Sequence, residues 1–170
     1  MDAKERRGKI LEILKKSNEP TSGASLSKLL NVSRQVIVGD IGLLRASGEE
    51  IISTPKGYLI KSEEKDDYIV KTIVCNHPKD CIEDELNLIV DEGATILNVI
   101  VEHSLYGQLT GNLHISSRRD VKSFIKNLEN DSANPLSQLT DGIHLHTIKC
   151  ENEEILQSVL TSLKEKGYAL

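Results

Sequence analysis

The sequence predicts an α+β protein of two domains, a small three-helix unit with a trailing β-hairpin and a larger sheet domain of βαββαβ order. Two observations carry this. Residues 1–61 hold short amphipathic segments separated by serines at capping positions, whereas residues 68–170 alternate strand-like and helix-like runs. The charge divides along the same line: residues 1–61 carry eleven Lys/Arg against seven Asp/Glu, net +4, and residues 62–170 carry ten against nineteen, net −9. A mildly basic domain joined to an acidic one suits a nucleic-acid-facing unit beside one that does not touch nucleic acid.

In residues 4–16, Ile10, Leu11, Ile13 and Leu14 form one apolar stripe, and Asn18-Glu19-Pro20 stops the helix. Ser25 is a candidate cap for a short second helix carrying Leu26, Leu29 and Leu30. After Asn31-Val32, Ser33 caps a third helix with Val36, Ile37, Ile41 and Leu44 facing inward. Two strand-like runs, 50–54 and 58–60, flank Pro55-Lys56-Gly57 as a wing. Short helix, tight turn and capped longer helix make a winged helix-turn-helix; the alternative is a three-helix core used for protein contacts. In the DNA reading, polar side chains at the start of the third helix meet base edges in the major groove. Ser33, Arg34 and Gln35 supply them, with Arg suited to guanine and Gln to adenine. Arg45 and Lys56 are the expected phosphate contacts, and Lys28 has the plainer reading of a solvated surface group. Aromatic residues make up 3% of the chain and Trp is absent, which argues against a base-stacking platform for single strands.

Residues 62–67 are polar and charged and read as a linker. Beyond them come a strand at 68–76, a helix at 80–91, strands at 95–102 and 109–115, a helix at 118–130 capped by Ser116-Ser117, a polar loop at 131–141, a strand at 142–150 and a last helix at 152–166. This order matches a ferredoxin-like domain with a trailing helix.

Within Gly142-Ile143-His144-Leu145-His146-Thr147, alternation along a strand sends both imidazoles to one face. If the first and fourth strands are antiparallel neighbours, His77 at the end of the first lies beside His144 at the start of the fourth. The helix after Pro78 then brings Glu85, with Cys81 one turn before it on the same face. Cys81 has the ordinary reading of a small buried hydrophobe and is left out of the site. His77, Glu85, His144 and His146 form a nitrogen-rich set with one oxygen donor, suited to zinc, nickel, iron or manganese, with room for an exogenous ligand. His114, outside the His-x-His pair, reads as structural.

The run from Leu26 to Arg45, with Val32-Ser33-Arg34-Gln35, Asp40-Ile41 and Leu44-Arg45, resembles the winged helix-turn-helix of many bacterial repressors. Residues 69–170 resemble the three-histidine domain of the niacin-responsive repressor family. The matching residues are Asn76-His77-Pro78 with Glu85, Val101-Glu102-His103 through Tyr106-Gly107, Ser116-Ser117-Arg118 with Asp120-Val121, Pro135-Leu136 and Gly142 to Thr147. Ser104 stands where the family is expected to have proline. The resemblance implies metal binding by His77, Glu85, His144 and His146, and repression of genes for niacin uptake and NAD synthesis when nicotinate is present. It points to a homodimer on double-stranded operator DNA, with a small carboxylate as signal. His103, Tyr106 and Arg118 are the candidate effector contacts, Arg118 at a helix start where free N–H groups assist.

Two other functions fit the same residues. A metal-dependent hydrolase on a DNA-binding adaptor would need a general base, for which His103 or Glu83 are candidates. The sensor is favoured over it, because no nucleophile, phosphate-binding glycine loop or oxyanion motif accompanies the histidines. A regulator whose signal is the metal itself is the other. No signal-peptide core or apolar run of membrane-spanning length is seen, and three cysteines without CxxC spacing argue against a disulfide framework, so a soluble, cytoplasmic protein is expected.

Overall fold

The computed structural model describes residues 1–61 and 67–170, which fall into two compact units; most of the expected linker lies outside the described residues. No helix among them is long and apolar enough to cross a membrane.

The first unit consists of α1 (Ala3–Lys16), α2 (Gly23–Leu30), α3 (Arg34–Ala46), β1 (Ile51–Thr54) and β2 (Gly57–Ile60), the strands pairing as an antiparallel hairpin. Asp2 caps α1 in a capping box with Glu5. The second helix begins one turn earlier than expected: Ser22, not Ser25, is its cap, its hydroxyl accepting from the Ser25 N–H at 3.0 Å. The core is Ile10, Leu14, Leu26, Leu30, Ile37, Ile41, Leu44 and Ile51. Ile37, Ile41 and Leu44 keep helical spacing toward it, so Val36, expected inward, is turned to solvent, as is Leu29 beside Leu26 and Leu30. Asp40 is buried on the inward face of α3, where Arg6 reaches its Oδ2 at 2.5 Å and Arg7 its Oδ1 at 3.6 Å, tying α1 to α3. Thr21 pairs through its backbone with Tyr58, adding a third short stretch to the wing. Gly57, with φ +138°, allows this approach, since a β-carbon there would collide with the Thr21 carbonyl.

The second unit contains β3 (Ile69–Asn76), α4 (Ile82–Asp91), β4 (Thr95–His103), β5 (Gly107–Ile115), α5 (Arg118–Asn130), β6 (Ile143–Cys150) and α6 (Glu153–Glu165). The α+β class and the element order are as expected, but the strand order departs from the ferredoxin-like one. The sheet runs β3-β6-β4-β5 with every neighbouring pair antiparallel. A ferredoxin-like sheet instead has a parallel central pair made by its first and third strands. Here the fourth strand of the unit is the one inserted between the first two, and alternate residues of β6 (His144, His146, Ile148, Cys150) are buried, as an interior strand requires.

The buried face of the sheet supplies Ile73, Cys75, Ile96, Leu113, Ile115, Ile148 and Cys150 to a core closed by Ile82, Leu86 and Ile89 of α4, Val121 of α5, and Leu156, Val159 and Leu163 of α6. Alternate residues on β3 and β6, including Val70, Val74 and Ile143, are exposed on the other face.

Candidate metal centre and nucleic-acid interface

The β3–β6 register sets the site. Cys75 pairs with His144 and Ile73 with His146, so these four side chains share the buried face of the sheet. His77 follows β3 on the same alternation, and Gly142 lets it approach β6: with φ +97°, it sits where a β-carbon would stand 2.6 Å from the His77 carbonyl oxygen. A 3-10 turn, Lys79–Cys81, then leads into α4, whose buried face presents Glu85 to the sheet.

The three imidazoles surround this carboxylate. His77 Nε2 is 2.7 Å from Glu85 Oε2, His144 Nε2 is 3.1 Å from Oε1, and His146 Nε2 is 3.4 Å from Oε2. Each ring is anchored by its other nitrogen to a backbone carbonyl: His77 Nδ1 to Pro78 at 2.9 Å, His144 Nδ1 to Gly142 at 2.8 Å and His146 Nδ1 to Asn98 at 2.8 Å. A carbonyl oxygen only accepts, so each Nδ1 carries a proton and Nε2 is the ring nitrogen turned toward Glu85. That is the outer-shell pattern of histidine metal ligands. The Asn98 carbonyl is turned to His146 at the β-bulge between Ile96 and Asn98, where the β4 register slips against β6.

The electrostatics follow from burial. Desolvation raises the Glu85 carboxyl, but the charge of His146 and the close approach of His144 and His77 outweigh it and hold the group far below the usual carboxylate range. At His77 burial favours the neutral ring, yet Glu85 beside it and the Pro78 carbonyl raise it above its ordinary 6.5. His77 Nε2 is close to Glu85 but out of line for a hydrogen bond, and it is the buried side-chain polar atom left without a partner among the described residues. An orphaned imidazole nitrogen aimed at a buried carboxylate fits a cation between them.

Two residues at this centre were not expected from the sequence. Cys75 is fully buried, and its Sγ, a Glu85 carboxylate oxygen and a His144 ring nitrogen lie within 4.8 Å of one another. Burial, then Glu85, push its thiol well up. Its place two residues before His77 on the same strand face was a signal available in the sequence. Tyr168 packs on His77 at 5.1 Å between ring centroids and donates its hydroxyl to Asp84. Cys81, the cysteine considered from sequence, faces Tyr168 instead.

The expected effector contacts have other partners in the structure. His103 ends β4, where its Nδ1 accepts from the N–H groups of Leu105 and Tyr106 and its ring stacks on Tyr106. Arg118 is exposed and makes a two-pronged pair with Asp91. Neither His103, Tyr106 nor Arg118 lines the cavity of about 350 Å³ beside His77, whose walls include Lys79, Ser137, Gln138 and Asp141. Of the two candidate general bases, Glu83 is exposed on α4 and His103 is engaged in the hairpin turn.

On the first unit, Ser33, Arg34 and Gln35 sit at the exposed start of α3. The Ser33 hydroxyl is engaged as the helix cap, accepting from Val36 N–H at 3.3 Å. Arg45 is exposed and also braces the wing: its Nε donates to the Ile51 carbonyl and its Nη2 to Ser53 Oγ, both at 2.7 Å, pinning β1 to α3. Lys56 at the wing turn lies 3.8 Å from the Glu19 carboxylate.

Comparison with known proteins agrees with both units. A helix-turn-helix domain family matches residues 6–59 and the 3H domain family matches residues 70–170. The transcription repressor NadR of Bacillus subtilis is 42% identical over 164 residues, covering 95% of this chain and 91% of that protein. A probable transcription repressor NiaR of Thermotoga maritima is 39% identical over 166 residues, covering 98% and 94%. With an antiparallel three-histidine domain following a winged helix-turn-helix, and relatives matched over nearly their whole length, the chain belongs to the NiaR family of transcription repressors.

Proposed function

We propose that this chain is a DNA-binding transcription repressor of NAD metabolism, acting as a homodimer on double-stranded operator DNA. Its second domain holds a divalent transition metal and answers to nicotinate. The observation that carries the metal is the convergence of three Nε2 atoms on Glu85 with every Nδ1 tied to a carbonyl. His77, Glu85, His144 and His146 would hold the ion; nickel, zinc, iron or manganese all suit such a set. Bound there, the ion supplies a positive charge and an open position for an anionic ligand.

Nicotinate brings a carboxylate and a ring nitrogen on one flat frame. The cavity beside His77 is of small-ligand size, and Lys79 on its wall is a cation for the carboxylate. This favours Lys79 over Arg118, whose guanidinium is engaged by Asp91. The repressor reading is supported by the relatives' names and by the exposed polar start of α3. For the homodimer, Val70, Val74 and Ile143 form an exposed apolar stripe across the paired strands β3 and β6, surface that a second copy would remove from water.

The test is a gel-shift titration with operator DNA, using metal-loaded and chelator-treated protein and adding nicotinate or nicotinamide. Nicotinate should tighten DNA binding only for the metal-loaded protein, with nicotinamide far weaker. Equal responses to acid and amide, or none in metal-loaded protein, would remove niacin as the signal.

A further inference from the structure

We propose that Cys75 is a fifth protein ligand at this centre, binding the ion as a thiolate beside the three imidazoles and Glu85; this rests on the metal reading above. Cys75 is directly opposite His144 in the β3–β6 register and two residues before His77 on the same strand face, so it shares the wall from which two of the imidazoles project. Its Sγ is within 4.8 Å of both a Glu85 oxygen and a His144 nitrogen. Around one ion, with bonds of roughly 2.1 Å to nitrogen or oxygen and 2.3 Å to sulfur, adjacent donors stand ~3 Å apart and opposite donors ~4.4 Å apart. The observed separations are thus within a small adjustment of coordination.

The second observation is independent of the cysteine. His77 Nε2 is buried, aimed at the same carboxylate, and unpartnered. An ion that satisfies it next to Glu85 binds the carboxylate that the Cys75 sulfur also approaches. Cys75 and Cys150 both pack in the apolar core, but Cys75 also has a buried carboxylate and an imidazole within reach.

Binding balances simply. The Cys75 S–H bond breaks as the sulfur–metal bond forms, and the proton leaves to solvent. The resulting set of three nitrogens, one oxygen and one sulfur shifts preference away from manganese, which favours oxygen donors, toward zinc, nickel, cobalt or iron. In an octahedral ion it leaves one position for an exogenous ligand.

Cobalt(II) added to the chelator-treated full chain reads both steps. Visible ligand-field bands report that the ion is bound, and a near-ultraviolet sulfur-to-metal charge-transfer band reports the thiolate. The wild type and the double variant Cys81→Ser, Cys150→Ser, in which Cys75 is the remaining thiol, should show both. Cys75→Ser should keep the visible bands, lose the charge-transfer band and release one proton fewer per ion. Visible bands without charge transfer in the wild type would overturn the thiolate while leaving the metal centre standing. Absence of both sets of bands would overturn the metal centre and the thiolate with it.

Discussion

His144 and Glu85 are 59 residues apart in the chain, yet Nε2 of one meets Oε1 of the other at 3.1 Å in the buried interior. Neither group is stable there alone: a buried carboxylate without partners costs several kcal/mol, and a buried imidazole must place both nitrogens. The strand that carries His144 and the helix that carries Glu85 are therefore held in register by chemistry as well as by packing.

That mutual dependence gives the metal prediction. The His144→Ala, His146→Ala double variant removes two of three nitrogen donors and should lose bound metal by elemental analysis, while the first unit, with its own core, stays folded by circular dichroism and amide spectra. Full metal retention in the double variant would end the four-ligand reading.

The pH dependence should reverse with metal. In chelator-treated protein His77 is raised above its ordinary 6.5, so its contribution is fully present below that value and is lost as pH rises through the folded value. Glu85 is lowered from its ordinary 4.5, so its contribution is present above 4.5 and is lost only as pH falls far below it. Chelated protein should thus melt at lower temperature as pH rises from about 6 to about 8. Metal-loaded protein needs neutral imidazoles, so its added stability should grow over the same interval. Melting curves with and without chelator check this, and parallel profiles would argue against an ion at the histidines.

Arg34 and Arg45 should separate reading from scaffolding. Arg34→Ala should relax discrimination at one base position by roughly 1–3 kcal/mol, whereas Lys56→Ala should weaken all sequences alike and lower the salt slope by about one contact. Arg45→Ala removes two hydrogen bonds to β1 and should cost about 1–3 kcal/mol of stability in the first unit. Urea unfolding together with binding to operator variants distinguishes the three. Unchanged sequence preference in Arg34→Ala would take the reading role away from the third helix.

How much of this was legible depends on range. The His-x-His pair, the Ser33 cap and the β3–β6 pairing rest on local periodicity and on one topological rule, and they lead to the three imidazoles and Glu85. The strand order was not legible, because β-α-β-β-α-β is compatible with more than one insertion of the last strand. The Asn98 carbonyl that orients His146 depends on a β-bulge, a one-residue slip with no composition signal at Leu97-Asn98. Arg45 read as a phosphate contact because its spacing from the wing strand is invisible until the chain turns back at Ser47-Gly48. Arg118 has the right charge and helix position, but Asp91, 27 residues earlier, claims it.

The Arg118–Asp91 pair sets the effector prediction. A carboxylate ligand next to a metal gains from a nearby cation that is not already neutralised, and the cavity beside His77 offers Lys79 at its wall, exposed and close in sequence to His77, a proposed ligand of the ion. Loss of one such contact costs a charged hydrogen bond, about 1.5–3 kcal/mol, or roughly 10- to 150-fold in the nicotinate concentration needed for half-maximal DNA binding. Lys79→Ala should show that shift with metal content unchanged. Arg118→Ala should leave the nicotinate response within about twofold, since the removed guanidinium was balancing Asp91 at the surface. Gel-shift titrations of both variants, with elemental analysis of each, decide between the two sites. A large shift in Arg118→Ala and none in Lys79→Ala would move the effector from the His77 cavity to the start of α5.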